Sequence, residues 1–177
     1  FWWLILLASA GGIVLLVRYF KTESGSRVMD AFKLNVPIFK HMFRKLYMAR
    51  FLRTAELLLE TGVAMLDSLD IAGEAVNNSL VAESISAAAE KVQGGKALSV
   101  AIKDQDYILP LVPQMISIGE QSGKISEMMA KAAQVYEEEL DEQIKALSTA
   151  IEPILMMILA IMAGTMVGAI LLPIYKL

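Results

Sequence analysis

The chain has 177 residues, 56% of them apolar and 20% charged, with a formal net charge of −3 and no cysteine. Its mean hydropathy of +0.54 lies above that of ordinary soluble domains, and the missing cysteines exclude disulfides and thiolate metal sites. The charge is segregated: of 16 Lys and Arg only Arg18 and Lys176 lie outside positions 21–147, and of the acids only Glu152 does. The order is therefore span, polar domain, span.

The first predicted element is a transmembrane helix over 1–20. Residues 1–17, FWWLILLASAGGIVLLV, carry no charge and as a helix would reach roughly 26 Å. Trp2 and Trp3 at one end, with Arg18, Tyr19 and Lys21 at the other, are the anchors expected at two membrane interfaces. The ASA at 8–10 imitates a signal-peptide cleavage site, but no basic segment precedes it and apolar residues continue past it. The start at Phe1 is expected to have further protein before it. The polar stretch 21–36, including KTESGSR, is predicted as a cytoplasmic linker.

A helical domain is predicted over 37–150, because no stretch shows sustained period-two alternation. Pro37 is expected to open its first helix, with Phe43, Tyr47, Phe51, Ala55 and Leu58 inward and Lys45, Arg53, Glu56 and Glu60 outward. Gly62 is placed to end that helix with a left-handed cap. A second helix spans about Ala64 to Val76, and Asn78 or Ser79 caps a third that reaches Val92 and stops at Gly94 and Gly95. A short fourth helix, the turn DQDY and a fifth helix opening near Pro110 follow. The segment 124–150 has an apolar stripe at Ile125, Met128, Ala132, Tyr136, Leu140, Ile144, Leu147 and Ile151, with Glu127 and Asp141 four residues before Lys131 and Lys145. It predicts one long helix running directly into a second span. That span, over 151–175, has nineteen uncharged residues between Pro153 and Pro173, or roughly 28 Å of helix. Gly164 and Gly168 form a G-x-x-x-G within it, equally readable as a packing face or as ordinary small residues. Basic residues crowd behind the first span, and only Lys176 follows the second, so the positive-inside rule puts the domain in the cytoplasm.

Two stretches imitate a phosphate-binding loop. SIGEQSGKIS, at 117–126, has Gly119 one residue too close to Gly123-Lys124, and Ile125 stands where the magnesium-binding hydroxyl belongs. GGKALS, at 94–99, has Glu90 where the leading glycine belongs and reads as a helix cap and restart. The first stretch is instead a turn between helices. Gly119 permits close backbone approach, Gly123 a positive φ, and Ser122 a cap on the next helix. Glu120 either hydrogen-bonds orphan backbone donors or faces a partner or a cation. His41 is the only histidine and sits in a basic amphipathic stretch, which speaks for a surface role. No nucleophile stands with an activating base, so the chain reads as non-enzymatic, without cofactor or metal. The acidic run EEELDE, at 137–142, is a solvated face or a docking surface. Glu152 and Pro153 mark either an interfacial carboxylate or a kinked, hydrogen-bonded joint where the long helix enters lipid.

The ordered combination of LLLETGV ending near Gly62 and Val63, Gly94 or Gly95 before ALSVAI, Pro110, GEQSGKI with a following YEEEL, EP at 152–153 and the terminal LLPIYKL with Pro173 resembles the GspF/PilC family. These are inner-membrane platform proteins of type IV pili and type II secretion systems. The resemblance covers roughly residues 28–177 and implies an all-α fold, an antiparallel bundle of about six helices flanked by two transmembrane helices. It makes the chain the C-terminal portion of a protein with two homologous cytoplasmic domains and three spans. It further implies a non-enzymatic role that couples a hexameric assembly ATPase to pilin or pseudopilin subunits, other inner-membrane assembly components, homo-oligomerisation and no nucleic acid. Gly119, Glu120 and Gly123 would shape one end of the bundle, and Glu152 and Pro153 the joint to the span. A membrane signalling receptor with a helical cytoplasmic domain is the alternative, although such a receptor should show sustained heptads or a catalytic module. A transporter half is disfavoured by the absence of interior charge clusters in the spans.

Overall fold

The computed structural model describes residues 23–36 and 39–174, and every regular element among them is helical. The first expected span, Pro37 and the tail from 175 lie outside the described residues. Seven helices follow in order: α1 Glu23–Asn35, α2 Lys40–Glu60, α3 Met65–Ala75, α4 Ser79–Gln93, α5 Leu98–Lys103, α6 Leu111–Ser122 and α7 Ile125–Ile174. Two compact units divide the chain within α7, one ending at Glu138 and the other beginning at Glu139.

The bundle unit packs α2 against α3, α3 against α4, α4 against α5 and α5 against α6, with α1 laid on α2 and α4. Its core holds Met48, Phe51 and Leu52 of α2, Leu69 of α3, Ile85 of α4 and Met129 of α7, all fully buried. Each such side chain removed from water contributes on the order of 1.5–3 kcal/mol, which offsets the entropy of ordering short helices that would not persist alone.

The expected linker is a correction. Glu23–Asn35 is helical, and within it Leu34 is fully buried and Asp30 nearly so. The polar run at its start, KTESGSR, misleads here, because burial of one face fixes a helix whose other face is polar. Asp30 supplies one of them: its Oδ2 accepts from both Ser79 N–H and Ser79 Oγ, each at 3.0 Å, at the start of α4. Asn78 caps the same helix, accepting from Val81 N–H at 3.2 Å.

Tyr47, Phe51 and Ala55 face the core as their spacing predicts. Glu56, expected on the outer face, is instead 7% exposed. Gly62 and Gly95 take φ of +84° and +90° just past the ends of α2 and α4. Val63 N–H reaches back to Leu58 O at 3.0 Å and Lys96 N–H to Lys91 O at 3.1 Å, the six-to-one bonds of a Schellman ending.

In α7 the apolar stripe is buried at Met128, Ala132 and Tyr136, whereas Ile144, Leu147 and Ile151 are 52%, 44% and 54% exposed. The helix continues without a break through Pro153 and Pro173 and is the one described helix long and apolar enough to cross a membrane. Of the two expected ion pairs on it, Lys131 Nζ meets Glu127 Oε1 at 3.1 Å. Asp141 and Lys145 make no salt bridge among the described residues, a second correction: exposed side chains in high dielectric gain little from pairing.

Candidate functional site

The stretch 117–126 folds as the last turns of α6, a two-residue connection and the first turn of α7. Gly123 ends α6 in the left-handed region at φ +70°, and Lys124 N–H returns to Gly119 O at 2.9 Å. Gly119 is where the two helices touch. A Cβ built there would lie 2.7 Å from Ile125 Cα and 3.2 Å from Ile125 N, so only glycine admits the backbone of α7. Ser122 corrects the sequence reading. Its hydroxyl donates backwards to Ile118 O at 2.8 Å and to Gly119 O at 3.4 Å, because a residue still inside α6 faces carbonyls of the preceding turn rather than the N–H groups of α7.

Glu120 resolves toward the first of its two readings. Its Oε1 accepts from Ser99 N–H at 3.3 Å and its Oε2 from Ser99 Oγ, at the open N-terminus of α5. A helix of six residues cannot satisfy its first N–H groups itself, and Ala97, which precedes it, has no capping side chain. The carboxylate arrives from α6, 21 residues away, and also meets the positive end of the α5 dipole. Asp30 and Ser79 repeat the device at α4. In both cases a serine in the first turn offers hydroxyl and N–H together to an acid on another helix, so a cap becomes a tertiary clasp. The serines carried the detectable signal, each lying one to five residues after a turn; their partners did not. Glu120→Ala is expected to destabilise the bundle by about 2 kcal/mol, and Ser99→Ala by about 1 kcal/mol, with the double variant less damaging than the sum. Thermal melts followed by circular dichroism on the full chain in detergent check this.

A second polar constellation ties α2 to α7. Arg53 donates through Nε and Nη2 to Glu137, the latter at 2.7 Å, and through Nη1 to Glu56 Oε2 at 3.2 Å. The guanidinium is raised above its ordinary range by the Glu137 hydrogen bond first, against some desolvation, so it stays charged wherever the protein is folded. Its side chain is 39% exposed and that of Glu137 is 45%, so their contact contributes modestly; Glu56 is the member that depends on it. Arg53→Met is expected to lower stability by about 2 kcal/mol, with roughly half regained by adding Glu56→Gln, since the cost lies in stranding a buried carboxylate. Urea unfolding of the unaltered chain, Arg53→Met and the double variant measures it. At the start of α7, Lys124 and then Lys131 hold the Glu127 carboxyl below its ordinary value. A depressed folded pKa gives a contribution that is present above the unfolded value of 4.5 and lost as pH falls through the folded one.

Beside the Glu120–Ser99 clasp, α5 and α6 border an open groove of about 860 Å³ that includes Val100, Pro110, Pro113 and Ile118. Val100 and Ile118 are 55% and 51% exposed. Pro110 itself sits at the N-terminal boundary of α6, where its missing N–H costs nothing.

In the second unit, Glu152 is exposed and makes no side-chain hydrogen bond among the described residues. Other features weaken the helix at this place. Pro153 has no N–H for Thr149 O, while Ser148 Oγ and Thr149 Oγ1 donate to Ile144 O and Lys145 O at 2.9 and 3.0 Å. Proline and back-bonded Ser or Thr both loosen a helix.

The family model for the type II secretion system (T2SS), protein F, matches residues 51–173, from mid-α2 to the end of the apolar helix. The chain belongs to the T2SS protein F family. It is 38% identical over 160 residues to the type IV pilus assembly protein PilC of Thermus thermophilus, covering 90% of this chain and 39% of that protein. It is 33% identical over 178 residues to the type IV pilus assembly protein TapC of Aeromonas hydrophila, with 99% and 43% covered. It is 31% identical over 177 residues to type II secretion system protein F of Xanthomonas campestris pv. campestris, with 99% and 44% covered. This T2SS protein F chain thus spans about two fifths of the length of these curated relatives. They are named for assembly and secretion, and the resemblance drawn from the glycines, Glu120 and the terminal helix is borne out.

Proposed function

We propose that this chain is the membrane-linked portion of a non-enzymatic platform in the bacterial inner membrane. With its bundle in the cytoplasm, it couples a hexameric assembly ATPase to insertion or extraction of pilin or pseudopilin subunits, as a homo-oligomer. The observation that carries the proposal is α7. One helix of 50 residues begins in the bundle, anchored there by Met129 and Ala133 in the core and by Glu137 on Arg53, and ends in an apolar segment. Membership of the T2SS protein F family supports the assembly role.

A helix resists bending far better than a linker, so displacement of the bundle reaches the apolar segment with little loss. Gly119 and Gly123 set where α7 leaves the bundle, and Glu120 stiffens the α5–α6 end beside it. The weakened turn around Ser148, Thr149 and Pro153 is the point at which α7 reorients on entering lipid.

In-cell photocrosslinking tests the partners. Photoreactive residues at Glu138 and Val100, both exposed, are expected to capture the assembly ATPase, and one at Glu152 pilin-like subunits. Capture of only signalling proteins, in cells whose filaments and secretion survive deletion of the gene, would overturn the platform assignment in favour of a receptor.

A further inference from the structure

The corner between α1 and α2 exposes two aromatic rings within a stretch that contains no acid. On either side of positions 37–38, Val36 N–H donates to Phe32 O at 3.0 Å, and Val36 O accepts from Phe39 N–H at 3.1 Å and Lys40 N–H at 2.7 Å. Phe32 is nevertheless 66% exposed and Phe39 39%. From Ala31 to Ala55 there are six Lys and Arg and no Asp or Glu. Three of the six are occupied elsewhere, Arg53 by its two carboxylates, Arg50 by Val76 O at 3.3 Å, and Arg44 over the Tyr107 ring at 5.5 Å. Lys33 lies only loosely, at 3.8 Å, against Asp30, and Lys40 and exposed His41 directly follow Phe39.

We propose that this corner docks on the anionic headgroups of the lipid bilayer. The Phe32 and Phe39 rings enter the interfacial layer, and Lys33, Lys40 and His41 meet the phosphates. Aromatic rings favour that layer, long basic side chains reach from apolar surface to phosphate, and a like-signed cluster gains from a negatively charged leaflet. The bilayer is chosen over a protein for reasons of reach as well as charge. The apolar segment read above as a span ends at Val17, fifteen residues before Phe32, and with α1 helical from Glu23 that length of chain extends at most about 35 Å. The inference rests on the reading that residues 1–20 cross the membrane.

The chain lacks cysteine, so Phe32→Cys provides a single labelling site on a side chain that no core contact needs. The full chain, labelled there with an environment-sensitive fluorophore, is placed in phosphatidylcholine vesicles with or without phosphatidylglycerol and a lipid-borne quencher. Strong quenching is expected only with phosphatidylglycerol, each lysine replaced in Lys33→Gln and Lys40→Gln weakening the docked population about fivefold. A label at Glu90→Cys, eleven residues along α4 from Ser79 and so about 16 Å away, should stay unquenched. High salt on the unaltered lysines should reproduce the loss without risk to folding. Equal quenching in both vesicles, none in either, or shielding that rises with protein density, as a second copy would give, overturns the proposal. Trp2 and Trp3, the only tryptophans, report separately through the same quencher whether the first segment is in the bilayer.

Discussion

A Gly-Gly-Ser insertion after Gln143 is expected to abolish filament assembly or secretion while leaving the melting of the bundle within about 2 °C of the unaltered chain. The site lies beyond Glu138, where the bundle unit ends, and before the weakened turn at Ser148, in a stretch of α7 whose side chains are mostly exposed. Two glycines cost a helix about 1 kcal/mol each relative to alanine, and three extra residues turn everything downstream by roughly 300° if the helix survives. Either way, displacement of the bundle no longer arrives at the apolar segment in its original direction. A seven-residue alanine-rich insertion at the same point is the informative control, because it restores the helical phase to within about 20° at a cost only in length. Retention of assembly with seven residues and loss with Gly-Gly-Ser means that stiffness and phase carry the function. Assembly that tolerates Gly-Gly-Ser means that α7 merely tethers the bundle, and the coupling mechanism falls.

Gly119→Val is expected to be the most damaging single substitution in the bundle, with a loss of about 3 kcal/mol or more, and Gly119→Ala to cost about 2 kcal/mol. A new Cβ meets the α7 backbone at Ile125 Cα and Ile125 N, and backbone, unlike the end of a flexible side chain, cannot rotate out of the way. Relief requires α7 to shift away from α6, which unseats Met128 and Met129 from the core. Gly164→Ala provides the contrast, since nothing lies within 4 Å of a Cβ there. Thermal melts of the three variants order them, and a Gly119→Val protein as stable as the parent would mean that α7 docks with slack the geometry does not suggest.

These expectations draw on different layers of information. Local chemistry written in a few neighbouring residues was legible directly: left-handed glycines after α2 and α6, the stop of α4 at Gly94 and Gly95, Asn78 as one of two cap candidates, and an apolar run long enough to make one helix of the C-terminal third. Such features are decided by the backbone and by periodicity, which neighbours in sequence are sufficient to specify. The same holds for the family resemblance, whose motifs are glycines and prolines at fixed order.

What the sequence alone left open or misplaced depended on partners far along the chain. Glu120 could be read as a ligand, a contact or a cap until Ser99 stood opposite it. Glu56 followed the polar side of its helix by periodicity and was buried by Arg53 and the packing around it. Residues 23–35 had linker composition and became α1, because burial of Leu34 and the Asp30–Ser79 clasp outweighed weak helical propensity. A side chain's local preference is worth tenths of a kcal/mol, whereas a buried apolar group or a satisfied buried acid is worth one to several, so tertiary contact decides wherever the two conflict. The sequence by itself determined the helices from α2 onward and the apolar segment; the tertiary structure decided that α1 is a helix, which acids act as clasps and which face of α7 stays covered.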